Sequence, residues 1–354
     1  MNAVVINDCE ELIKRLGFKL ETFKNSTVLI SGGNSMLGKA LINLFCYLNK
    51  HYEYRITIFN LVRNLEKTQK IFEEWIDQEF FHIIHQDVCD PIDVAQYEDL
   101  RNVEYIFHFA GSASARLIAE DPTGIIKANT LGTINLLDFA HSIHAKNVIF
   151  SSTREIYGGM LRDDWIKETD MGVLDPSIPR NAYPTSKRLA EALFVAYAKQ
   201  FGVPYTILRM AHIYGPGMEI DNDGRVMADI VGSVVRRKNI VLYSDGTAMR
   251  SFCYLTDCVD GILRALLSNA ESRFFNLSNE IEPIMIKEAA QMAVASFPER
   301  SLKVLFSHDE SANYQGGYNP LPLIPLETGK LESYGWKPCV TLQEGMKRTI
   351  ESFS

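Results

Sequence analysis

The chain has 354 residues, 36 Lys plus Arg against 44 Asp plus Glu for a formal net charge of −8, and 46% hydrophobic residues. This suits one or two globular domains with ample core, and the acidic balance lacks the basic footprint of a protein that tracks phosphate backbones, which excludes nucleic acid as a partner. No stretch reaches the roughly 18 apolar residues of a membrane span, and the opening MNAVVINDCEELIKRL is acidic where a signal peptide is basic, so a cytoplasmic chain with no membrane segment is expected.

In chain order, Asp8 with Glu11 three residues on reads as a capping box that opens a short helix through Leu16. Residues 1–25 then form a helical extension before the core fold. Next, the apolar run TVLIS enters Gly32 and Gly33 and leaves through Ser35, Met36, Leu37 and Gly38 into an amphipathic segment, the pattern of a strand, a tight turn and a helix. Gly32 and Gly38 hold the first and last places of a dinucleotide-binding turn. The middle place, where a missing Cβ lets backbone approach a pyrophosphate, is Ser35.

Further β-rich runs lie at 55–59, 81–84, 105–109, 148–151 and 205–209, and helical stretches at 123–143 and 183–201. Alternation of continuous apolar strands with helices predicts an α/β fold, a Rossmann doubly wound parallel sheet covered on both faces that binds ligands at the carboxyl ends of its strands. Residues 26–210 are assigned to this cofactor-binding part. Beyond about residue 210 the rhythm breaks into Gly-, Pro- and Asp-rich loops with shorter helices, so 211–354 are assigned mainly to a smaller α/β substrate-binding part interleaved with the first.

Six cysteines without CxxC pairs read as reduced thiols, and the pairs His82/His85 and His141/His144 lack a third ligand at a recognisable spacing, so no metal is expected. Cofactor candidates follow the strands. Asn60 and Arg63 stand at the second strand, where an acid normally binds the ribose hydroxyls; Asn60 can replace it, and Arg63 can meet a 2′-phosphate or face solvent, which leaves NAD and NADP both open. Asp87 and Val88 follow the third strand, where a carboxylate can accept from an adenine amino group. Phe109, Ala110 and Gly111 close the fourth with room for a ribose or nicotinamide. Asn129 and Gly132 lie inside a helix, where both are poor choices by propensity and so imply a packing or ligand role.

The chemistry is carried by Tyr183 and Lys187, a YxxxK on a helix, preceded by SSTREIYG with Thr153, Arg154 and Glu155 at a strand end. Tyr and Lys four apart share a helical face, so the ammonium is expected beside the phenol, lowering its pKa toward neutrality. A phenolate beside a nicotinamide can take a hydroxyl proton while hydride leaves the same carbon, with Thr153 hydrogen-bonded to that oxygen.

With RMAHIYGP at 209–216, DGRV at 223–226, SDGTAMRSFCY at 244–254, Asp257, FNL at 275–277 and GWKP at 335–338, the chain from about residue 27 to its end resembles the extended short-chain dehydrogenase/reductase family of sugar-nucleotide epimerases and dehydratases. The resemblance implies bound NAD used transiently to oxidise sugar carbon 4, with Thr153, Tyr183 and Lys187 as the redox triad. It implies Arg250 on the nucleotide pyrophosphate, Asp223 to Val226 (Arg225 among them) lining the nucleotide pocket, and His212 among the substrate contacts. It also implies a homodimer packed through two helices per subunit, for which Ala190, Ala192, Leu193 and Ala196 offer a close-packing face that could equally pack internally.

For the second step, the 4,6-dehydratases of this family carry Asp-Glu after the Thr, whereas this chain carries Arg154-Glu155. A guanidinium stays protonated and cannot serve as the general acid for water loss. UDP-glucuronate decarboxylases carry the Glu without the Asp, and the DGRV and RSFCY segments look most like theirs, although Pro-Thr-Ser replaces their Asp-Glu-Gly between the Tyr and the Lys. Arg154 either holds a sugar carboxylate or points away as a structural residue. The expected activity is therefore decarboxylation of a UDP-hexuronic acid or 4,6-dehydration, with 4-epimerisation and a noncatalytic dinucleotide sensor as alternatives.

Overall fold

The computed structural model describes residues 1–93, 98–160, 164–221, 223–307 and 324–353. Six strands, β1 (Thr27–Ser31), β2 (Thr57–Val62), β3 (Phe81–His85), β4 (Val103–His108), β5 (Asn147–Thr153) and β6 (Tyr205–Met210), join a seventh, Phe274–Leu277. All neighbours are parallel, in the order Phe274–Leu277, β6, β5, β4, β1, β2, β3. Strand order reverses between β1 and β4, which opens a crevice above their carboxyl ends.

The helices are α1 (Ala3–Leu16), α2 (Met36–Tyr52), α3 (Leu65–Ile71), α4 (Ala115–Glu120), α5 (Pro122–Ser142), α6 (Ala182–Phe201), α7 (Val226–Val235), α8 (Leu255–Leu266), α9 (Ile286–Ala295), α10 (Gly329–Glu332) and α11 (Leu342–Glu351). Successive strand residues point to opposite faces, and the strands are apolar on both, so each face needs a cover. Val28 and Ile30 of β1 pack with α1, α2 and α8, while Leu29 packs on the other face with α5 and α6. A separate core joins α7, α9 and α11.

The N-terminal helix departs from expectation. It begins at Ala3 under Asn2, whose Oδ1 accepts from the Val5 amide at 3.0 Å. Asp8 and Glu11 form no capping box because distant partners claim them: Tyr254 donates to Asp8 at 2.8 Å, and Arg348 donates to Asp8 at 3.2 Å and to Glu11 at 2.6 Å. Cys9, Leu12 and Leu16 are buried in the main core, so the helix is built into the fold and is no appendage. Arg15 extends the link, donating at 2.5 Å to Asp257, which also accepts from the Cys339 and Val340 amides.

Strand β2 also sits further along the chain than the apolar run implied, ending at Val62. Asn60 therefore pairs in register with Ile30 and Ile83 inside the sheet and is fully buried. Residues 211–354 do not stand apart from the sheet. They return Phe274–Leu277 to the edge beside β6, and α8 to the face that α1 and α2 cover.

Candidate active site

A cleft of about 1740 Å³ lies over the carboxyl ends of the strands, between the sheet and the C-terminal core. One wall is built where β5 ends at Thr153 and α6 begins at Ala182. Tyr183 and Lys187 stand one turn apart on α6, 5% and 2% exposed, and the Thr153 hydroxyl hydrogen-bonds the Tyr183 phenol.

The Lys187 side chain is anchored on main chain at the end of β5. Its Nζ donates to the Ser151 carbonyl at 2.7 Å and lies 4.4 Å from the centre of the Phe150 ring. Burial pushes its pKa down to about 7, and burial together with the Glu155 carboxylate raises that of Tyr183, against lowering contributions from Thr153, Arg180 and Arg225. The sign has a consequence for stability. An unfolded Lys keeps its proton to about pH 10.4, whereas folded Lys187 releases it near 7. Between those values the unfolded chain binds more protons, so stability rises with pH. Buried Cys9, Cys46, Cys253 and Cys258, whose pKa values burial raises, act in the opposite sense above about pH 8.5. The Lys187 contribution is therefore read as a difference: in urea unfolding from pH 7 to 10 the stability of the wild type relative to Lys187→Met should rise.

Arg154 and Glu155 lie in a tight 3₁₀ turn, Arg154–Tyr157, so strand alternation does not turn Arg154 away from the cleft. Its Nη2 donates to the Ile324 carbonyl at 2.9 Å, and burial lowers its pKa with Arg250 adding repulsion. Glu155 is gripped by Arg180 from the turn Pro179–Asn181: Nη2 donates to Oε1 at 2.8 Å and Nη1 donates to Oε2.

On the opposite wall the glycine turn presents backbone. Gly32 has φ +74°, and a Cβ there would lie 2.7 Å from the Ala110 nitrogen. A Cβ on Gly38 would lie 2.5 Å from the Gly33 Cα. Ser35 fills the middle place as the N-cap of α2, its Oγ accepting from the Gly38 amide at 3.1 Å, so the hydroxyl closes the helix end where a third glycine was expected. Met36, Leu37, Phe109 and Gly111 line the cleft beside it.

The nucleotide-side candidates converge on the far end. Arg225 binds Asp223 in a fork, with Nε to Oδ1 at 2.8 Å and Nη2 to Oδ2 at 2.5 Å, and the Asp223 carbonyl accepts from Ser114 at 2.9 Å. Val226 opens α7, and Arg250 lies in a strand pair opposite Ile284. The ring of His212 sits 5.9 Å from that of Phe252. Its Nδ1 donates to the Ser251 carbonyl at 3.2 Å, and burial, then Arg154 and Arg250, depress its pKa to about 3.

The model of the NAD dependent epimerase/dehydratase family matches residues 28–278. The chain belongs to this family. UDP-glucuronic acid decarboxylase 5 of Arabidopsis thaliana is 30% identical over 329 residues, 93% of this chain and 89% of that protein. UDP-glucuronic acid decarboxylase 1 of Danio rerio is 29% identical, over 92% of this chain and 72% of that protein. Among solved structures, the UDP-glucuronic acid 4-epimerase of Bacillus cereus, in complex with UDP-glucuronic acid and NAD, aligns with a TM-score of 0.72 and 19% identity over 92% of this chain and 98% of that one, a likeness of fold.

The residues present fit the cofactor of this epimerase/dehydratase family. A turn with no space for a Cβ at Gly32 or Gly38 exposes main-chain N–H groups at a helix start, the arrangement that takes a pyrophosphate. Four side-chain carbonyl oxygens, those of Asn34, Asn60, Asn129 and Asn147, are buried with no hydrogen-bond partner among the described residues; Asn34 lines the cleft, and Asn129 Oδ1 lies 2.5 Å from where a Cβ on the cleft residue Gly111 would stand. The Asn129 amide nitrogen donates to Ser186 at 3.0 Å, while Gly132 has a packing reason: a Cβ there would meet Val88 Cγ1 at 2.8 Å.

Asn60, Arg63, Asp87 and Val88, all expected on the cofactor, do not line the cleft. Asn60 is sealed beneath Gly33, whose Cβ would fall 2.0 Å from its Oδ1, because β2 runs past it. Arg63 and Asp87 pair with each other at 3.4 Å on the rim, and Val88 packs under α5. Arg180 and Lys39 were missed. Lys39 lines the cleft and donates to the Gly217 carbonyl, with burial depressing its pKa to about 8. The signal for Arg180 was a cation three residues before Tyr183 of the YxxxK.

Proposed function

We propose that this protein is an NAD-dependent sugar-nucleotide lyase that oxidises carbon 4 of a UDP-hexuronic acid and releases its carboxyl group as carbon dioxide. One observation carries the choice. Beside Thr153, Tyr183 and Lys187, read here as the carbon 4 site, the two polar side chains after Thr153 are unsuited to expelling water: Arg154 cannot give up its proton, and both oxygens of Glu155 are bound to Arg180. Decarboxylation needs no acid to expel a leaving group: carbon dioxide departs with the carboxylate's charge left as an enolate between carbons 4 and 5, which takes one proton from solvent at carbon 5. The decarboxylase names of the relatives support the same choice, and a cleft of about 1740 Å³ exceeds the roughly 300–1,000 Å³ of a single-ligand pocket, as two nucleotides require.

In this reading Gly32, Ser35, Met36, Leu37 and Gly38 hold the cofactor pyrophosphate, and Phe109, Ala110, Gly111 and Asn129 the nicotinamide half. When bound, NAD supplies reversible removal of the carbon 4 hydrogen, which makes the neighbouring carboxyl that of a β-keto acid. Tyr183 accepts the carbon 4 hydroxyl proton and Thr153 fixes the oxygen that loses it. Lys187, anchored on Ser151, holds α6 against the end of β5 and places a cation behind the phenol. Arg154 binds the sugar carboxylate, and Arg250 and Arg225 bind the nucleotide phosphates. Two copies pair through the outer faces of α5 and α6, where Ile126, Leu131, Leu189 and Val195 are exposed; Ala190 is fully buried against the sheet side and takes no part. Among the described residues no helix is long and apolar enough to cross a membrane, which supports a cytoplasmic site of action.

The test is product mass after incubation with UDP-glucuronate and with nucleotide-linked hexoses. Loss of carbon dioxide from UDP-glucuronate is expected. Loss of water selects dehydration, a new sugar of unchanged mass selects epimerisation, and no turnover selects a sensor.

A further inference from the structure

We propose that Arg180 is a positioning residue: by holding both oxygens of the Glu155 carboxylate it keeps that group off the Tyr183 phenol, leaving Tyr183 able to take the substrate proton. The proposal rests on the reading of Tyr183 as the proton acceptor given above.

The turns Arg154–Tyr157 and Pro179–Asn181 flank Tyr183, and Glu155 and Arg180 meet between them with side chains only 20% and 13% exposed. Each carboxylate oxygen takes one guanidinium N–H. Arg180 Nε is buried with no partner among the described residues, so the carboxylate rather than a wider network fixes where the guanidinium sits. Removing two charges from water costs solvation that their attraction often fails to recover, so fold stability is a weak reason to keep such a pair. Its neighbour is the better reason. Released from Arg180, Glu155 would become an acceptor for the phenol hydrogen, and a hydrogen bond to the neutral form holds that form protonated.

The groups facing Tyr183 are few. Thr153 and Glu155 approach from the end of β5, Arg180 from the turn before α6, and Arg225 from the start of α7. Ile118 and Ile125 close the apolar side, and the Lys187 ammonium is directed at Ser151. Among these Glu155 is the anion that disfavours the phenolate, and two cations offset it, Arg180 more than Arg225.

The test uses the NAD-loaded protein and two readouts. The first is the acidic limb of the kcat profile against pH, on whichever sugar nucleotide is turned over. The second is phenolate absorbance assigned to Tyr183 by subtracting the same variant carrying Tyr183→Phe. Arg180→Met should move both upward in pH by about 1–3 units, the range for a lost opposite charge at contact, and Arg180→Lys should move them less. Glu155→Gln should move both downward, and adding it to Arg180→Met should bring them back toward the wild-type position even if turnover stays low. Turnover that falls in Arg180→Met with neither readout moving would show a merely structural pair and overturn the proposal. If Arg180→Met does not fold, the directions in Arg180→Lys and Glu155→Gln decide. If no sugar nucleotide reacts, the function assigned above fails, and the phenolate titration alone still decides the role of Arg180.

Discussion

Tyr183→Phe is expected to lower kcat on the sugar nucleotide by about 10²–10⁴-fold, the range for loss of a positioned general base. The change removes one oxygen and leaves the ring, which is 5% exposed and packed against Ile118 and Ile125, so the fold has little to lose. The phenol is held by Thr153, and that hydroxyl also accepts from the Glu155 amide at 3.2 Å, so it is not stranded when its partner goes. Stability should change by only about 1 kcal/mol, as for one hydrogen bond. NAD affinity, measured by calorimetric titration, should be nearly unchanged. A variant that keeps more than a tenth of wild-type kcat would remove Tyr183 from the chemistry. One that loses NAD affinity in step with kcat would make it a binding residue.

The second large effect belongs to the glycine turn. Gly32→Ala is expected to destabilise the protein by about 2–4 kcal/mol, combining a strained backbone with an overpacked contact, and to weaken NAD binding at least tenfold. The new Cβ would sit 2.7 Å from the Ala110 nitrogen and 2.8 Å from the Phe109 carbonyl carbon, both main-chain atoms of the segment that closes the cofactor wall. Relief of that clash has to move β1 away from the end of β4. Gly202 provides the control. It has φ +73°, close to the +74° of Gly32, but a Cβ there would meet nothing within 4 Å. Gly202→Ala should therefore cost only about 1 kcal/mol from backbone strain and leave NAD affinity intact. Equal losses in urea unfolding for the two variants would mean that conformation, and not the close approach to β4, makes glycine necessary at 32.

Local signals were legible wherever one stretch of chain settles the geometry by itself. The apolar run into Gly32, the helix from Ser35 and Met36, and the Tyr183/Lys187 spacing each depend on neighbours in sequence, and the structure brings Ser35, Met36, Tyr183 and Lys187 to facing walls of one cleft. Expectations failed where the deciding partner lies far along the chain. Asp8 and Glu11 have the spacing of a cap, but Tyr254 and Arg348 take their oxygens. The edge strand Phe274–Leu277 is one thread of the interleaving expected of residues 211–354, but which strand it joins was not legible, because its pairing with β6 is invisible in composition.

The active site shows the same division. That Tyr183 and Lys187 share a helical face followed from the period of the helix, but the direction of the ammonium depends on the Ser151 carbonyl, 36 residues earlier. Asn60 was assigned to the cofactor because the apolar run seemed to stop before it, and continuation of β2 to Val62 buries it instead. Arg154 was left between two roles by a strand argument that does not apply, since β5 ends at Thr153 and a 3₁₀ turn begins. The clamp of Arg180 on Glu155 joins turns 25 residues apart and had no periodic signature.

The central claim is that carbon 4 oxidation here ends in loss of the neighbouring carboxyl group. The most direct test is incubation of the NAD-loaded protein with UDP-glucuronate carrying ¹³C in that carboxyl, followed by mass spectrometry of the gas and of the nucleotide product. The account predicts labelled carbon dioxide in equal amount to an unlabelled UDP-pentose, with no net reduction of NAD and neither product formed by Tyr183→Phe. Label retained in a UDP-hexuronate of unchanged mass, or in a product lighter by one water, would contradict it.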